Sequence, residues 1–436
     1  MELDHGATAW MLTSASLVLL MTPGLALFYG GMTRSKSVLN MMMMSFGAIA
    51  VVAVIYVLWG WSMSYGGTSI GGLFGNPFEQ FGLDGAIYDG AGEYLIDDYG
   101  VPGIVGVGFQ STFAIITVAL ISGAVADRVR FSTWLVFTTL WATLAYFPIC
   151  HMVWNGGLLS ADGPFGAIAA PIDFAGGTVV HINAGAAGLV LALVVGRRKG
   201  FGRVPMKPHS LPLTMLGAAL LWFGWFGFNA GSAFTSDGNA GLAWVNTTTA
   251  TAAAILGWLV AERIRDGRAT SLGAASGVVA GLVAVTPAAG AVSPVGAIVL
   301  GLVAGVLCAL AVGLKYKLGY DDSLDVVGVH LVAGLWGTIG IGFLATGTGL
   351  FYGGGAAQLA VQAIIAVVAV VISLVVTTVI ALVLKAVMGW RVSDDVEIGG
   401  IDQAEHGESA YEGIGAGRFS SEPAPAVRST TEEAKA

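Results

Sequence analysis

Apolar runs of roughly 20 residues recur from one end of this chain to the other, and each is long enough to cross a bilayer. Inside hydrocarbon every backbone N–H and C=O must be satisfied internally, which leaves helices or a closed barrel. The runs are continuous rather than alternating, which is not the pattern of a barrel. Only 11% of the residues are charged and 56% are hydrophobic, whereas a soluble domain carries about 25% charged residues. The sequence therefore predicts an all-α polytopic membrane protein. Its two cysteines, Cys150 and Cys308, sit within apolar segments, a pattern that suits neither a disulfide scaffold nor a thiolate metal cluster. No metal, cofactor or nucleic acid is expected.

Eleven spans are predicted, at roughly 9–32, 38–63, 103–125, 131–153, 175–196, 210–233, 241–261, 270–288, 294–314, 325–346 and 356–387. The first is read as a true span, because its leader MELDHGATAW is acidic and lacks the basic start of a signal peptide. The bases fix the orientation. All 19 Lys and Arg fall in odd-numbered connections or the tail, from Arg34 and Lys36 after span 1 to Lys385 and Arg391 at the end of span 11. The positive-inside rule makes that side cytoplasmic, with the N-terminus outside the cell membrane and the C-terminus inside. The longest outer connection, 64–102, holds Glu79, Asp84, Asp89, Glu93, Asp97 and Asp98. A vestibule that concentrates cations is one reading; the preferred, plainer one is that acids remain where bases are excluded. The chain divides into a transmembrane domain at 1–390 and a cytoplasmic tail at 391–436, regulatory to about 415, with 420–436 disordered by composition.

One frame occurs twice. Asp173 to Gly185 reads DFAGGTVVHINAG, and Asp322 to Gly334 reads DSLDVVGVHLVAG. In each an Asp stands eight residues before a His, which opens H-x-x-A-G. The copies fall on spans 5 and 10, so the repeat unit is five helices, and an odd number of spans inverts the second half. An inverted five-helix repeat, spans 1–5 and 6–10, is thus expected, with span 11 added. Such repeats place their sites near the bilayer midplane, where His181 and His330 would meet. Ionisable groups there are functional candidates because burying them is costly. Two imidazolium ions in contact would be costlier still, so at least one ring is neutral. Asp173 opens span 5, where a carboxylate caps orphan amides; this structural role is preferred to direct ligation. Asp325 is expected to cap span 10 in the same way.

Aromatic residues cluster at the outer ends of spans 3, 4 and 6, in GFQSTF (108–113), HMVWNGG (151–157) and WFGFNAGSA (225–233). Any one of them suits an interfacial anchor. Together, near a His-lined path, they suit a small cation, since a desolvated ring face attracts one by about 1–2 kcal/mol. A hydroxyl such as Ser232 could accept a hydrogen bond from an ammonium-like donor, and an apolar lane beyond would reject a bare ion. The 65 glycines, with recurrent G-x-x-x-G-like spacing, fit close helix packing.

These stretches, with FQSTF (109–113) and DDSLDVVGVHLVAGLWG (321–337), closely resemble the ammonium transporters, the Amt/MEP/Rh family. The likeness runs from about Trp10 to the tail, and the mouth Trp and Ser together place it in the Amt branch. The resemblance implies that Phe113, Trp154 and Ser232 form an outer ammonium site, with Trp225 beside it in the pore mouth and Asp173 supporting it. It implies that Phe113 and Phe228 are a stacked phenyl gate, and that His181 and His330 are twin pore histidines. It further implies a homotrimer with one pore per subunit, and a tail segment, EIGGIDQAEHGESAY (397–411), that couples pores and meets PII-type signalling proteins. Some bacterial relatives carry a cleaved signal before span 1, a feature not read in this chain.

The expected function is recruitment of ammonium at the aromatic cup, its deprotonation, and passage of ammonia past the histidines, with net ammonium transport favoured over neutral ammonia passage. Methylammonium is an expected further substrate. The alternative is an ammonium sensor signalling through the tail. An enzyme is not expected: there is no catalytic residue set, and no span carries H-E-x-x-H or G-x-S-x-G.

Overall fold

A computed structural model describes residues 2–411; the rest of the tail, including the stretch expected to be disordered, lies outside the described residues. The helices follow in the order α1 (His5–Met32), α2 (Val38–Tyr65), α3 (Gly103–Val125), α4 (Phe131–Trp154), α5 (Gly177–Val195), α6 (Leu211–Ala230), α7 (Gly238–Asp266), α8 (Ser271–Val285), α9 (Pro294–Leu318), α10 (Val327–Leu344) and α11 (Ala357–Val387). Two short helices, α12 (Asp394–Gly399) and α13 (Ile401–His406), close the described chain. Among the described residues nine helices are long and apolar enough to cross a membrane. The other two of the first eleven are α7 and α8. Helix α7 has 29 residues, but Asn246, Thr247, Thr248 and Thr249 and the charges at its end dilute its hydropathy. Helix α8 has only 15 residues and gives way to a turn at Thr286.

Local chemistry sets several boundaries. Asp4 accepts the Ala7 N–H at 2.9 Å to start α1, and Asp237, Thr270 and Ser293 cap α7, α8 and α9 through their side chains. Gly267 ends α7 at φ +79°, a conformation that favours glycine. Wider π turns interrupt α2 (Tyr56–Gly60), α4 (Ala142–Tyr146), α5 (Gly177–Ile182), α6 (Phe226–Ala230) and α10 (Val327–Leu331). Such turns insert an extra residue and re-aim side chains, often at functional sites.

Small residues bring the helices together. Gly301 and Gly305 of α9 rest on the carbonyl oxygens of Ala250 and Ala254 in α7, where a Cβ would collide. Gly217 of α6 meets the backbone of Phe28 in α1. The same neighbours recur in both halves: α1 packs on α3 as α6 on α8, α2 on α4 as α7 on α9, and α3 on α5 as α8 on α10.

The basic connections gather at one end. There Asp127 pairs with Arg34 and Arg198, both at 3.1 Å, while Arg198 also grips Asp321 at 2.8 Å. The buried Arg128 donates to the carbonyls of Gly196 and Asp321 at 2.9 and 2.7 Å. The tail closes over this face: Asp402 accepts the N–H groups of Leu39 and Asn40 at 3.0 and 2.8 Å, and Arg391 pairs with the buried Glu397. At the opposite, base-poor end, Asp4 N donates to Gly100 O, Leu158 N to Gly72 O, and Phe174 N to Pro287 O. A small antiparallel hairpin, β1 (Ser69–Ile70) with β2 (Phe74–Gly75), decorates that end.

Candidate functional site

The two Asp-His frames build the centre of the molecule. The Asp173 carboxylate accepts the N–H groups of Gly176, Gly177 and Thr178 at 2.8, 2.5 and 2.8 Å, and the Thr178 hydroxyl as well. It therefore holds the first turn of α5, helped by Gly176 at φ +119°. In the second frame the cap is Asp322, not Asp325 as the sequence suggested. Asp322 accepts the N–H groups of Val326 and Val327 at 3.0 and 2.8 Å. Asp325 sits at φ +64° and its carboxylate pairs with Lys315 instead of the helix start. The glycine of each H-x-x-A-G explains the rest of the motif. A Cβ on Gly185 would strike the backbone of Leu331, and one on Gly334 would meet His181 and Ile182. Each frame thus makes room for the other's histidine turn.

The rings form a file between the two ends. Trp154 donates its indole N–H to the carbonyl of Asp173 at 2.9 Å, which fixes the indole at the base-poor mouth. Phe113 meets it edge-on at 6.1 Å and stacks on Phe228 at 4.0 Å and 17°, both phenyl rings fully buried. Below this pair, Phe228 lies 6.2 Å from His181. His181 stacks on Trp225 at 5.5 Å, and its ring centre lies 5.5 Å from that of His330. The Nδ1 atoms of the two histidines approach to 3.4 Å, and the buried His181 Nε2 has no hydrogen-bond partner among the described residues. His330 then borders a small void with Phe28, Tyr29, Ser276 and Asp325 toward the base-rich end.

Two sequence-predicted positions are refined by this geometry. Trp225 does not stand beside Trp154 in the mouth but beneath the phenyl pair, because it lies nearly one turn before Phe228 on α6; its ring faces His181 and its N–H reaches the Thr286 hydroxyl at 2.9 Å. Asp173 joins the mouth only through its carbonyl, since its carboxylate is turned into the helix start. Ser232 donates to the Phe228 carbonyl at 2.8 Å, which leaves its oxygen lone pairs available as acceptors. Residues that the sequence reading missed are Thr178, Thr286 and Lys315. Thr178 had a signal, standing five residues after Asp173 within the frame. Thr286 had none, being 61 residues from Trp225.

The arrangement offers aromatic faces and an acceptor hydroxyl at the base-poor end, a closed apolar constriction, then two buried imidazoles. A profile of the Ammonium Transporter Family matches residues 9–411. The chain belongs to the ammonium transporter family. It is 55% identical to an ammonium transporter of Mycobacterium tuberculosis over 94% of this chain and 91% of that protein. Among solved structures, Saccharomyces cerevisiae Mep2 superposes with a TM-score of 0.80 at 32% identity, covering 90% of this chain and 91% of its own. A protein named Sensor Amt Protein superposes with a TM-score of 0.83 at 29% identity, covering 92% and 98%. Membership makes the protein a transporter, with ammonium or ammonia as its substrate.

Proposed function

We propose that the chain crosses the cell membrane eleven times as an inverted five-helix repeat plus α11, with its base-rich face in the cytoplasm and its N-terminus outside. Ammonium is recruited at the mouth by Trp154, Phe113 and Ser232, and methylammonium is accepted by the same cup. Ring faces and the Ser232 oxygen favour the cation, with a ring worth about 1–2 kcal/mol once water is stripped away. The stacked pair Phe113 and Phe228 closes the lane at 4.0 Å, so the rings part to admit the substrate. A bare ion is rejected by the apolar lane beyond, and a proton leaves the substrate at the gate. Ammonia then passes Trp225, His181 and His330, while the linked imidazoles carry the proton inward.

The observation that carries this reading is the imidazole pair beneath the phenyl gate, bonded Nδ1 to Nδ1 with His181 Nε2 left open. It is tested by the current across a membrane containing purified protein after an ammonium pulse. The expected current depends on ammonium and falls sharply in His181→Ala and His330→Ala. Unchanged currents in both variants overturn the assigned role of the histidines; a pH change without current means neutral ammonia passage.

The protein acts as a homotrimer with one lane per subunit, and the tail is the docking segment for a PII-type protein. A second reading, an ammonium sensor, is favoured by one feature. The tail helices bind the starts of α2 and α4, through Asp402 to Leu39 and Asn40 and through Glu405 to Phe131. Motion in those helices would reach the tail directly. Ammonium binding with neither current nor pH change would move that reading to first place.

A further inference from the structure

Asp173 and Asp322 hold equivalent places in the repeat, each eight residues before a pore histidine and each capping its helix. Their surroundings differ in one respect. Among the described residues Asp173 has no basic partner, whereas the Asp322 turn holds a fixed cation. Lys315, from the end of α9, places its Nζ 2.6 Å from Asp325 Oδ1 and 2.9 Å from the Asp322 carbonyl oxygen. The Lys315 side chain is only 8% exposed. Asp325 meets it from a left-handed backbone conformation, φ +64°, which a non-glycine residue adopts only when its surroundings hold it there.

Position gives the pair its meaning. Asp325 lines the void beneath His330 on one side. On the other it lines a basin of about 440 Å³ together with Arg265, Lys315, Tyr316 and Lys317. It is therefore the partition between the lane and the base-rich face. The carboxylate and carbonyl that hold Lys315 are the acceptors a free ammonium would choose, and a lysine head group is itself an ammonium with three donors. Held on its own chain, it competes at high effective concentration.

We propose that Lys315 is a tethered ammonium that keeps the inner cation site of the lane filled, so that free ammonium enters readily from the outer mouth and poorly from the inner one. This rests on the reading above that the lane carries ammonium inward. The pair leaves the transport equilibrium unchanged, as it must; it alters the concentration at which each side saturates. The bases around the basin act in the same direction by repelling cations from that mouth.

The experiment compares initial ammonium flux in right-side-out and inverted membrane vesicles, with ammonium on one side only. In the wild type, half-saturation from the inner side is expected at a concentration about tenfold above that from the outer side. Lys315→Met frees Asp325 and brings the inner value down to about the outer one, which itself stays within about twofold of wild type. Lys315→Met with Asp325→Asn removes both charges and restores the high inner value. Equal values from both sides in the wild type overturn the proposal, as does an unchanged ratio in Lys315→Met. Should Lys315→Met fail to reach the membrane, Lys315→Gln, which keeps a hydrogen bond to Asp325 without the charge, is expected to lower the inner value in the same way, and an unchanged ratio there overturns the proposal. Absence of wild-type flux from either side would refute the transport reading instead.

Discussion

Asp173 can be made to separate its helix cap from its charge. Its carboxylate takes three short backbone N–H bonds, at 2.8, 2.5 and 2.8 Å, a longer one from Val179 at 3.4 Å, and the Thr178 hydroxyl. Hydrogen bonds to a charged acceptor contribute about 1.5–3 kcal/mol each. Alanine removes all of them, and water at this half-buried turn can replace only part, so Asp173→Ala is expected to cost about 3–5 kcal/mol. Asparagine keeps one oxygen for the helix start and is a good cap, so Asp173→Asn should cost only about 1–2 kcal/mol. The transport effect should rank differently. Trp154 is tied to the Asp173 backbone carbonyl at 2.9 Å, and the carboxylate, turned into the adjoining helix start, acts on the aromatic cup only through its field. Asp173→Asn keeps the indole anchor but loses the field, so its ammonium flux should drop about tenfold or more. The assays are heat-induced loss of monodisperse protein in detergent and ammonium-dependent current in proteoliposomes. Full heat resistance in Asp173→Ala would refute the cap argument. Wild-type current in a well-folded Asp173→Asn would show that the charge does not assist the cation.

Two further predictions concern the scaffold. Gly301→Val drives a branched side chain into the Ala250 carbonyl and should destabilise the α7–α9 contact by about 1–3 kcal/mol, seen as reduced folded yield, with Gly301→Ala milder. Burial by itself favours neutral Asp321, but the hydrogen bonds and charge of Arg198, with the charge of Arg128, hold its carboxyl below the usual range. Because that value is depressed on folding, its stabilisation is present above the unfolded value of about 3.9 and is lost as pH falls through the folded one. Acid below about pH 4 should therefore open the Arg198 loop to proteolysis, and a loop equally resistant at pH 7 and in that acid would refute the linkage.

Much of the helix order was legible because length and hydropathy act locally: apolar segments must become helices in lipid, whatever their neighbours. The two weakest signals, α7 and α8, are those where buried side-chain partners replace plain hydropathy. Asn246 of α7 donates to the carbonyls of Ala289 and Val292, both at 2.8 Å, so a polar residue is satisfied by a turn that no local window contains. The site divides in the same way. The Asp-His spacing marks His181 and His330 because each Asp caps the start of the helix that carries its His. The assignment of Asp325 as a cap failed because only the left-handed turn at that residue decides which of two nearby acids reaches the helix start. Lys315 was counted only as an inner-side base. Its burial against Asp325 depends on a loop closing over ten residues, which charge counting does not see.

The meeting of the histidines forces an asymmetry on a symmetric design. A bond between two Nδ1 atoms at 3.4 Å needs one proton, so one ring donates and the other accepts. For neutral imidazoles the choice at Nδ1 fixes Nε2. The donor ring presents a bare Nε2, and the acceptor ring presents an Nε2–H. On the proposed path the pair would offer passing ammonia one acceptor and one donor, matching a molecule that has both. A proton delivered to the bare Nε2 on one side, with the shared proton shifting across and another leaving from the far Nε2, exchanges the two tautomers and advances one charge. The reciprocal packing of Gly185 on Leu331 and of Gly334 on His181 holds the Nδ1 atoms close enough for that shift. A residue with a Cβ at Gly185 should therefore suppress charge transfer before it blocks the lane, lowering current more than ammonia-driven pH change; an equal loss of both would mean that the glycine serves packing alone.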